Sequence, residues 1–181
     1  TYVKIKFKDT GEKIILAKER LAVIKEEYEV LGEVTGSELE RVEYEQLMPY
    51  VQPDPEKKAF YVTLGDFVST EDGSGIVHIA PAFGEDDYQV SRKYNLPVIQ
   101  PVDKSGKFTS EVTDFAGRFV KEADDDIILK LKEEKKLYKK EKFVHSYPHC
   151  WRCHSPLLYY ARESWYINTP SYKDKMIKLN N

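Results

Sequence analysis

GSGIVHIAPAFGEDD, residues 73–87, contains the strand, turn and helix start on which the fold prediction rests. Its first part alternates with period two, so residues 75–80 predict a strand with His78 on one of its faces. Residues 85–94 have helical character, and Asn95 can adopt the left-handed conformation of a helix C-cap. The stretch therefore predicts an α/β arrangement.

The glycines and the histidine of this stretch each have a structural interpretation. Phosphate-binding glycine loops lead directly into a helix N-terminus, whereas Gly73 and Gly75 lead into a β-branched run. We therefore expect a hairpin turn here and no phosphate site. The alternating pattern alone favours a hydrogen-bonded structural role for His78 over a functional one.

Glu85, Asp86 and Asp87 fill the first turn of the predicted helix. Acidic side chains there interact favourably with the helix dipole, by about 0.3–1 kcal/mol each, which accounts for one or two of them. The end of a strand before a helix is also where α/β proteins bind ligands, and three carboxylates suit a cation such as a substrate ammonium group. Position alone leaves both interpretations open.

Cys150-Trp151-Arg152-Cys153 is a second candidate site. A C-x-x-C pair supplies half of the four ligands of a tetrahedral zinc site. His145 is the candidate third ligand, because His149 and His154 adjoin the cysteines and neighbouring residues do not easily reach one metal. We rank half of a zinc knuckle first, a free structural pair second and a redox pair third, since the flanking prolines disfavour a thioredoxin-like helix.

Composition limits the class of protein. The chain has 181 residues, 41% of them hydrophobic, and a formal net charge of −3, which indicates one domain with an appendage and argues against general charge-driven nucleic-acid binding. Docking of one specific RNA end remains compatible with this charge. Two cysteines, no signal peptide and no membrane-length apolar run favour a reduced, cytoplasmic setting without a membrane partner. The opening TYVKIKF lacks a methionine, so we expect a piece of a larger protein.

The remaining patterns predict further elements. An Asp-Thr-Gly turn between two alternating runs predicts a hairpin in the first 16 residues. Helical spacing predicts helices over 17–29 and 121–138, and a strand is expected over 59–64. Ser37 and Glu40 fit a capping box.

Three motifs together resemble a known family. GSGIVHIAPAFGEDD, PVIQPVDKSGKF and SYPHCWRCHSPLLYYARESWYI are similar, in order and spacing, to the editing insertion of class I isoleucyl-tRNA synthetases, connective peptide 1. The first motif is shared with the valyl family, whereas the third is more similar to the isoleucyl one. The resemblance covers essentially the whole chain.

The resemblance implies an α/β fold: a β-rich, barrel-like editing domain of the valyl/isoleucyl/leucyl type with peripheral helices, over residues 1–143. Residues 144–181 would be a tail that returns to the catalytic domain and carries half of a zinc knuckle. The implied activity is hydrolysis of the ester bond of tRNA(Ile) mischarged with valine. One methylene contributes only about 1–3 kcal/mol in a binding pocket, so a second, smaller site must remove valine errors.

The family's amino-group-binding aspartate matches Asp87, and its editing-site histidine matches His78. These two are the expected catalytic residues, and Ala80, Pro81 and Phe83 would line the substrate pocket with them. A site-bound water would attack the ester without a catalytic triad or any cofactor. Zinc, through Cys150 and Cys153, is expected only in the parent enzyme, whose catalytic domain would use ATP and Mg.

The chain also departs from the family. A threonine-rich, Trp-containing loop forms another wall of the family's pocket, and nothing in residues 1–16 matches it. The partner cysteines of the zinc knuckle are missing too, so we expect a fragment that is weakly active or inactive alone. Two alternatives stay open: a valyl-tRNA synthetase editing domain acting on Thr-tRNA(Val), and a non-catalytic module that docks tRNA or protein.

Overall fold

The computed structural model describes residues 1–71, 73–142, 144 and 146–180. The chain begins with a three-stranded antiparallel sheet in the order β2-β1-β3. β1 is Tyr2–Phe7, β2 is Lys13–Ala17 and β3 is Tyr28–Val34. The predicted hairpin of β1 and β2 is confirmed, because alternation along both strands directs a shared apolar set into one core: Val3, Ile5, Phe7 and Leu16.

The sheet is open, which corrects the barrel that the resemblance implied. β1 is central, and no other strand of the described residues pairs with the outer edge of β2 or β3. A barrel requires every strand to have two neighbours. A bulge in β3 opposite Lys4 and Ile5 further bends this edge. The fold is α/β. The small sheet is formed by residues near the start of the chain, and short helices are distributed over the rest of the chain.

Four α-helices follow the sheet in the described residues: α1 is Gly36–Leu39, α2 is Glu85–Tyr94, α3 is Asp124–Glu133 and α4 is Lys173–Asn180. Short 3₁₀ helices lie at Lys18–Val23, Val120–Glu122 and Thr169–Tyr172. α2 has the predicted bounds, and Asn95 is its left-handed C-cap with φ of 53°. α3 is shorter than the predicted 121–138.

Several predicted elements are wrong. The helix expected over 17–29 is a 3₁₀ helix followed by β3, because pairing with β1 holds Tyr28–Val34 in a strand. The capping box of α1 uses Thr35 and Glu38, two residues earlier than expected. Residues 59–64 form only an isolated bridge, and residues 76–80 are not a strand.

Buried apolar residues form three small clusters. One lies under the sheet, a second joins Tyr61 to Val90 and Tyr94 of α2, and the third joins Val112 and Phe115 to Ala123 at the start of α3. The predicted domain boundary at Phe143 lies outside the described residues. In the described part of the chain, no helix has both the length and the apolar character needed to cross a membrane.

Candidate functional site

The C-terminal end of α2 is fixed by Tyr94. Its buried hydroxyl donates to Glu40 Oε1 at 2.7 Å and accepts from the Leu64 N–H at 3.1 Å. The Tyr61 hydroxyl donates to the Tyr94 carbonyl, and the Arg41 guanidinium lies 4.8–4.9 Å from both ring centroids. Burial, followed by the bond to Glu40, raises the pKa of Tyr94. This anchor sets the direction in which α2 presents its acidic N-terminus.

At that N-terminus, Asp87 is bonded to the preceding loop, residues 80–84. Its Oδ1 accepts from the Ala80 N–H at 2.6 Å, and the Phe83 N–H donates to the Ala80 carbonyl at 2.9 Å. Gly84 precedes the helix, and a Cβ there would collide with Asp87 Oδ2. Asp87 is half-buried, whereas Glu85 and Asp86 are exposed. The three acids are therefore not equivalent.

The predicted pocket residues differ in burial from His78. Ala80, Pro81 and Phe83 lie in the 80–84 loop and are half-buried. His78 is exposed, and no hydrogen bond to it is found within the described residues. The hydrogen-bonded structural role that its strand pattern favoured is not observed, because no strand among the described residues pairs with residues 76–80.

The glycines before His78 form a turn, but it is not the expected hairpin turn, because residues 76–80 are not a strand. Hydrogen bonds connect this turn to the sheet. Gly75 has φ of +73°, and a Cβ there would lie 2.5 Å from Ala17 Cβ. The Ala17 N–H donates to the Ser74 carbonyl at 2.8 Å, and the Tyr2 hydroxyl donates to the Gly75 carbonyl at 2.8 Å. Gly75 therefore allows close packing against β2, whereas a Cβ at Gly73 would meet nothing within 4 Å.

A second segment, which the sequence did not indicate as functional, covers the 80–84 loop. The Ala161 N–H donates to the Ala82 carbonyl at 2.8 Å, and Gln100 Nε2 donates to the Ala161 carbonyl at 3.0 Å. The Tyr160 ring meets the Phe83 ring edge-on, with centroids 6.5 Å apart. The one available sequence signal was the Leu-Leu-Tyr-Tyr run at 157–160.

The cysteine pair lies in a tight turn. The Cys150 N–H donates to the Ser155 carbonyl at 2.8 Å, and the His154 N–H donates to the Cys150 carbonyl at 2.9 Å. Neither thiol is in a disulfide. Cys153 Sγ lies 3.2 Å from Ser155 Oγ, and this hydrogen bond, with others from the Ser155 backbone and Cys150, lowers the pKa of Cys153 to about 7.

Two thiols with this spacing fit half of a zinc site, because thiolates are soft ligands suited to zinc. The candidate third ligand, His145, lies outside the described residues. Elsewhere in the chain as described, no group of three or more His, Cys, Asp or Glu side chains could hold a metal ion. The structural, metal and redox interpretations of the pair remain predictions.

Two surface grooves, of about 410 and 490 Å³, are lined by residues other than the predicted site. The first lies between residues 51–57 and 97–100 and includes Lys57 and Glu111. The second is more apolar and lies between β2, the first 3₁₀ helix and Tyr138. The candidate site is thus a hydrogen-bonded loop at a helix start, without an enclosed cavity of its own among these grooves.

No protein-family model matches the chain. Proteins named isoleucine–tRNA ligase match nearly all of it. The one from Clostridium acetobutylicum is 54% identical over 173 residues, 96% of this chain and 16% of that protein. The one from Clostridium novyi is 50% identical over 181 residues, 99% of this chain and 17% of that protein. The one from Thermoplasma volcanium is 46% identical over 168 residues, 93% of this chain and 16% of that protein. The chain therefore spans about one sixth of the length of the curated relatives that it matches.

Proposed function

The chain is a homologue of one segment of the isoleucine–tRNA ligases, and from this premise we propose that it is part of their editing domain. Its substrate would be tRNA(Ile) mischarged with valine, and its reaction would be hydrolysis of the ester that joins them. The observation that carries this proposal is the orientation of the Asp87 carboxylate against the 80–84 loop.

Asp87 is suited to bind the ammonium group of the substrate. A carboxylate has about four lone-pair sites, and the Ala80 N–H occupies one site on Oδ1. This bond orients the group while leaving it acceptor capacity toward a cation. The missing Cβ of Gly84 gives Asp87 Oδ2 the space that it needs. Glu85 and Asp86 are exposed, and the helix dipole accounts for them.

We assign roles to the other predicted residues according to their positions around Asp87. Ala80, Pro81 and Phe83 would form the wall that limits the size of the amino-acid side chain, so that valine enters and isoleucine does not. His78, exposed two residues before Ala80, would lie at the rim of the site. A water held near the ester carbonyl would attack it, releasing valine and tRNA(Ile).

The test is deacylation of Val-tRNA(Ile) by a full-length isoleucine–tRNA ligase that carries this sequence. We expect Asp87→Ala to lower the rate about 10- to 100-fold, since a hydrogen bond to a charged group contributes about 1.5–3 kcal/mol. Asp86→Ala is the matched control, because it removes an exposed acid from the same helix turn. Charging of tRNA(Ile) with isoleucine should be unchanged in both. If Asp87→Ala deacylates as fast as Asp86→Ala, the assignment is wrong.

The same ligase preparation separates the alternatives. Faster hydrolysis of Thr-tRNA(Val) than of Val-tRNA(Ile) would favour the valyl-type activity. A docking role is supported by the tail, where Trp165, Tyr166 and Ile167 are 100%, 87% and 82% exposed. We propose that this segment contacts the catalytic domain of the ligase, which would use ATP and Mg. A purely docking role predicts that Asp87→Ala leaves deacylation unchanged.

A further inference from the structure

The 80–84 loop is held from two sides by residues far apart in the sequence. On one side, Asp87 accepts from the Ala80 N–H. On the other side lies a segment outside the helices and strands, residues 158–161, which we call the strap. Its Ala161 N–H donates to the Ala82 carbonyl at 2.8 Å, which adds a backbone bond to the middle of the loop. Ala82 is only 3% exposed, so this bond is shielded from water.

Tyr160 connects the strap to two parts of the molecule at once. Its ring packs edge-on against Phe83, with an interplanar angle of 69°. Its hydroxyl donates to the carbonyl of the buried residue Val102 at 3.1 Å. Because the hydroxyl fixes one end of the ring, the other end gives Phe83 a defined position.

Burial alternates over the first three residues of the strap. Leu158 and Tyr160 are half-buried, whereas Tyr159 between them is 64% exposed. A Cβ at Gly106 would lie 2.8 Å from Leu158 Cδ1, so the glycine allows Leu158 to pack closely. Gln100 Nε2, 3.0 Å from the Ala161 carbonyl, holds the far end. The inward face of the strap is thus fitted to the loop and its neighbours.

We propose that Tyr160 is a positioning residue, which holds Phe83 and the 80–84 loop in the geometry that the editing reaction needs. The part of this inference that concerns the reaction rests on the proposed function. Tyr160 acts through Phe83 and the loop and does not touch the reacting ester. Its loss would leave the loop attached through Asp87 and the Ala161 bond, with Phe83 free to change rotamer.

The first measurement does not depend on the reaction. Hydrogen exchange of peptides covering residues 80–88 is followed in the full-length ligase that carries this sequence. Tyr160→Leu keeps an apolar side chain but removes the ring and the hydroxyl, and we expect exchange about 3- to 10-fold faster. Tyr160→Phe removes the hydroxyl alone and should lie between this variant and the wild type. Tyr159→Leu, at the exposed neighbouring position, should match the wild type.

The second measurement is the kinetics of Val-tRNA(Ile) hydrolysis by the same proteins. We expect Tyr160→Leu to lower kcat about 10-fold or more, because small displacements of positioning groups are costly to rate. KM should stay within about twofold, since the tRNA body still binds. Tyr160→Phe should recover most of kcat, and isoleucine charging should not change.

The two measurements distinguish failure of the proposed function from failure of the positioning role. If wild-type ligase does not hydrolyse Val-tRNA(Ile), the proposed function is wrong, and the exchange data alone decide the role of the strap. If Tyr160→Leu exchanges in the loop as slowly as Tyr159→Leu, the positioning role is overturned, whatever the enzyme activity. Should Tyr160→Leu not fold, the same comparison is made with Tyr160→Phe, and equal exchange with Tyr159→Leu again overturns it.

Discussion

The carboxylate of Asp87 occupies the space in which a Cβ at Gly84 would lie. The two residues are neighbours across the first turn of α2, and the glycine allows Asp87 to reach back to the Ala80 N–H. Gly84 has φ of −161°, an extended conformation that any residue adopts, so its importance is steric.

Gly84→Ala should therefore destabilise the protein by about 1–3 kcal/mol. The new methyl displaces the Asp87 carboxylate and leaves the Ala80 N–H without its acceptor. Gly32→Ala is the matched control, because a Cβ at Gly32 meets nothing within 4 Å. Denaturant unfolding of both variants measures the difference. Equal midpoints would show that the Asp87–Ala80 bond does not depend on Gly84.

A second pair of glycines distinguishes the free-energy cost of a strained backbone from the cost of a steric collision. Gly75 and Gly117 have φ of +73° and +76°, but only at Gly75 would a Cβ contact another residue, Ala17 at 2.5 Å. Gly117→Ala should cost about 1–2 kcal/mol for the left-handed backbone. Gly75→Ala should cost about 1–3 kcal/mol more, since overpacking is added to strain. Similar unfolding free energies for the two variants would contradict close packing of the turn on β2.

The parts of the fold that the sequence predicted correctly depend on local interactions. The bounds of α2 follow from acids in its first turn and Asn95 as its C-cap, all within the helix or next to it. The hairpin of β1 and β2 follows from a short turn between alternating runs. The wrong elements depend on distant partners: β3 forms because it pairs with β1, and 76–80 is no strand because no described strand pairs with it.

The candidate site likewise combines features that the local sequence indicates with features that depend on distant residues. Three consecutive acids are visible in the sequence, but only the resemblance selected Asp87, and the structure separates it by burial and by its bond to Ala80. Tyr160 and Gln100 could not be found from local patterns. Their partners are Phe83, Val102 and Ala161, so each contact joins residues about 60 to 80 positions apart.

The Tyr138 hydroxyl should lose its proton at a higher pH than an ordinary tyrosine, and this ionisation should destabilise the folded protein. Partial burial, followed by the hydrogen bond that its hydroxyl donates to Glu26 at 2.8 Å, raises the pKa of Tyr138 from 10.0 to about 12. Because the folded-state pKa is the higher one, the stabilising contribution is complete below pH 10 and is lost as pH rises through about 12. The Tyr138 ring also stacks on the core residue Phe7, with centroids 5.8 Å apart.

Absorbance titration, which follows the formation of tyrosinate, measures the pKa of Tyr138. The difference between wild type and Tyr138→Phe isolates one of the 13 tyrosines, and it should show a midpoint near 12. Glu26→Gln removes the charged acceptor and should move this midpoint toward 10.0. A difference curve already centred at 10.0 in the wild type would contradict the Tyr138–Glu26 contact.

The 181-residue chain should bind zinc weakly through Cys150 and Cys153. Tetrahedral zinc needs four ligands, and the described residues offer no group of three or more His, Cys, Asp or Glu side chains around one point. Two thiolates alone leave the other positions to water, so a chelator should remove the metal readily. Cys150→Ser should abolish even this weak binding, whereas Ser164→Ala, at an exposed position outside the pair, should not change it. Elemental analysis after dialysis against chelator measures the outcome, and one retained equivalent of zinc would show that further ligands complete the site.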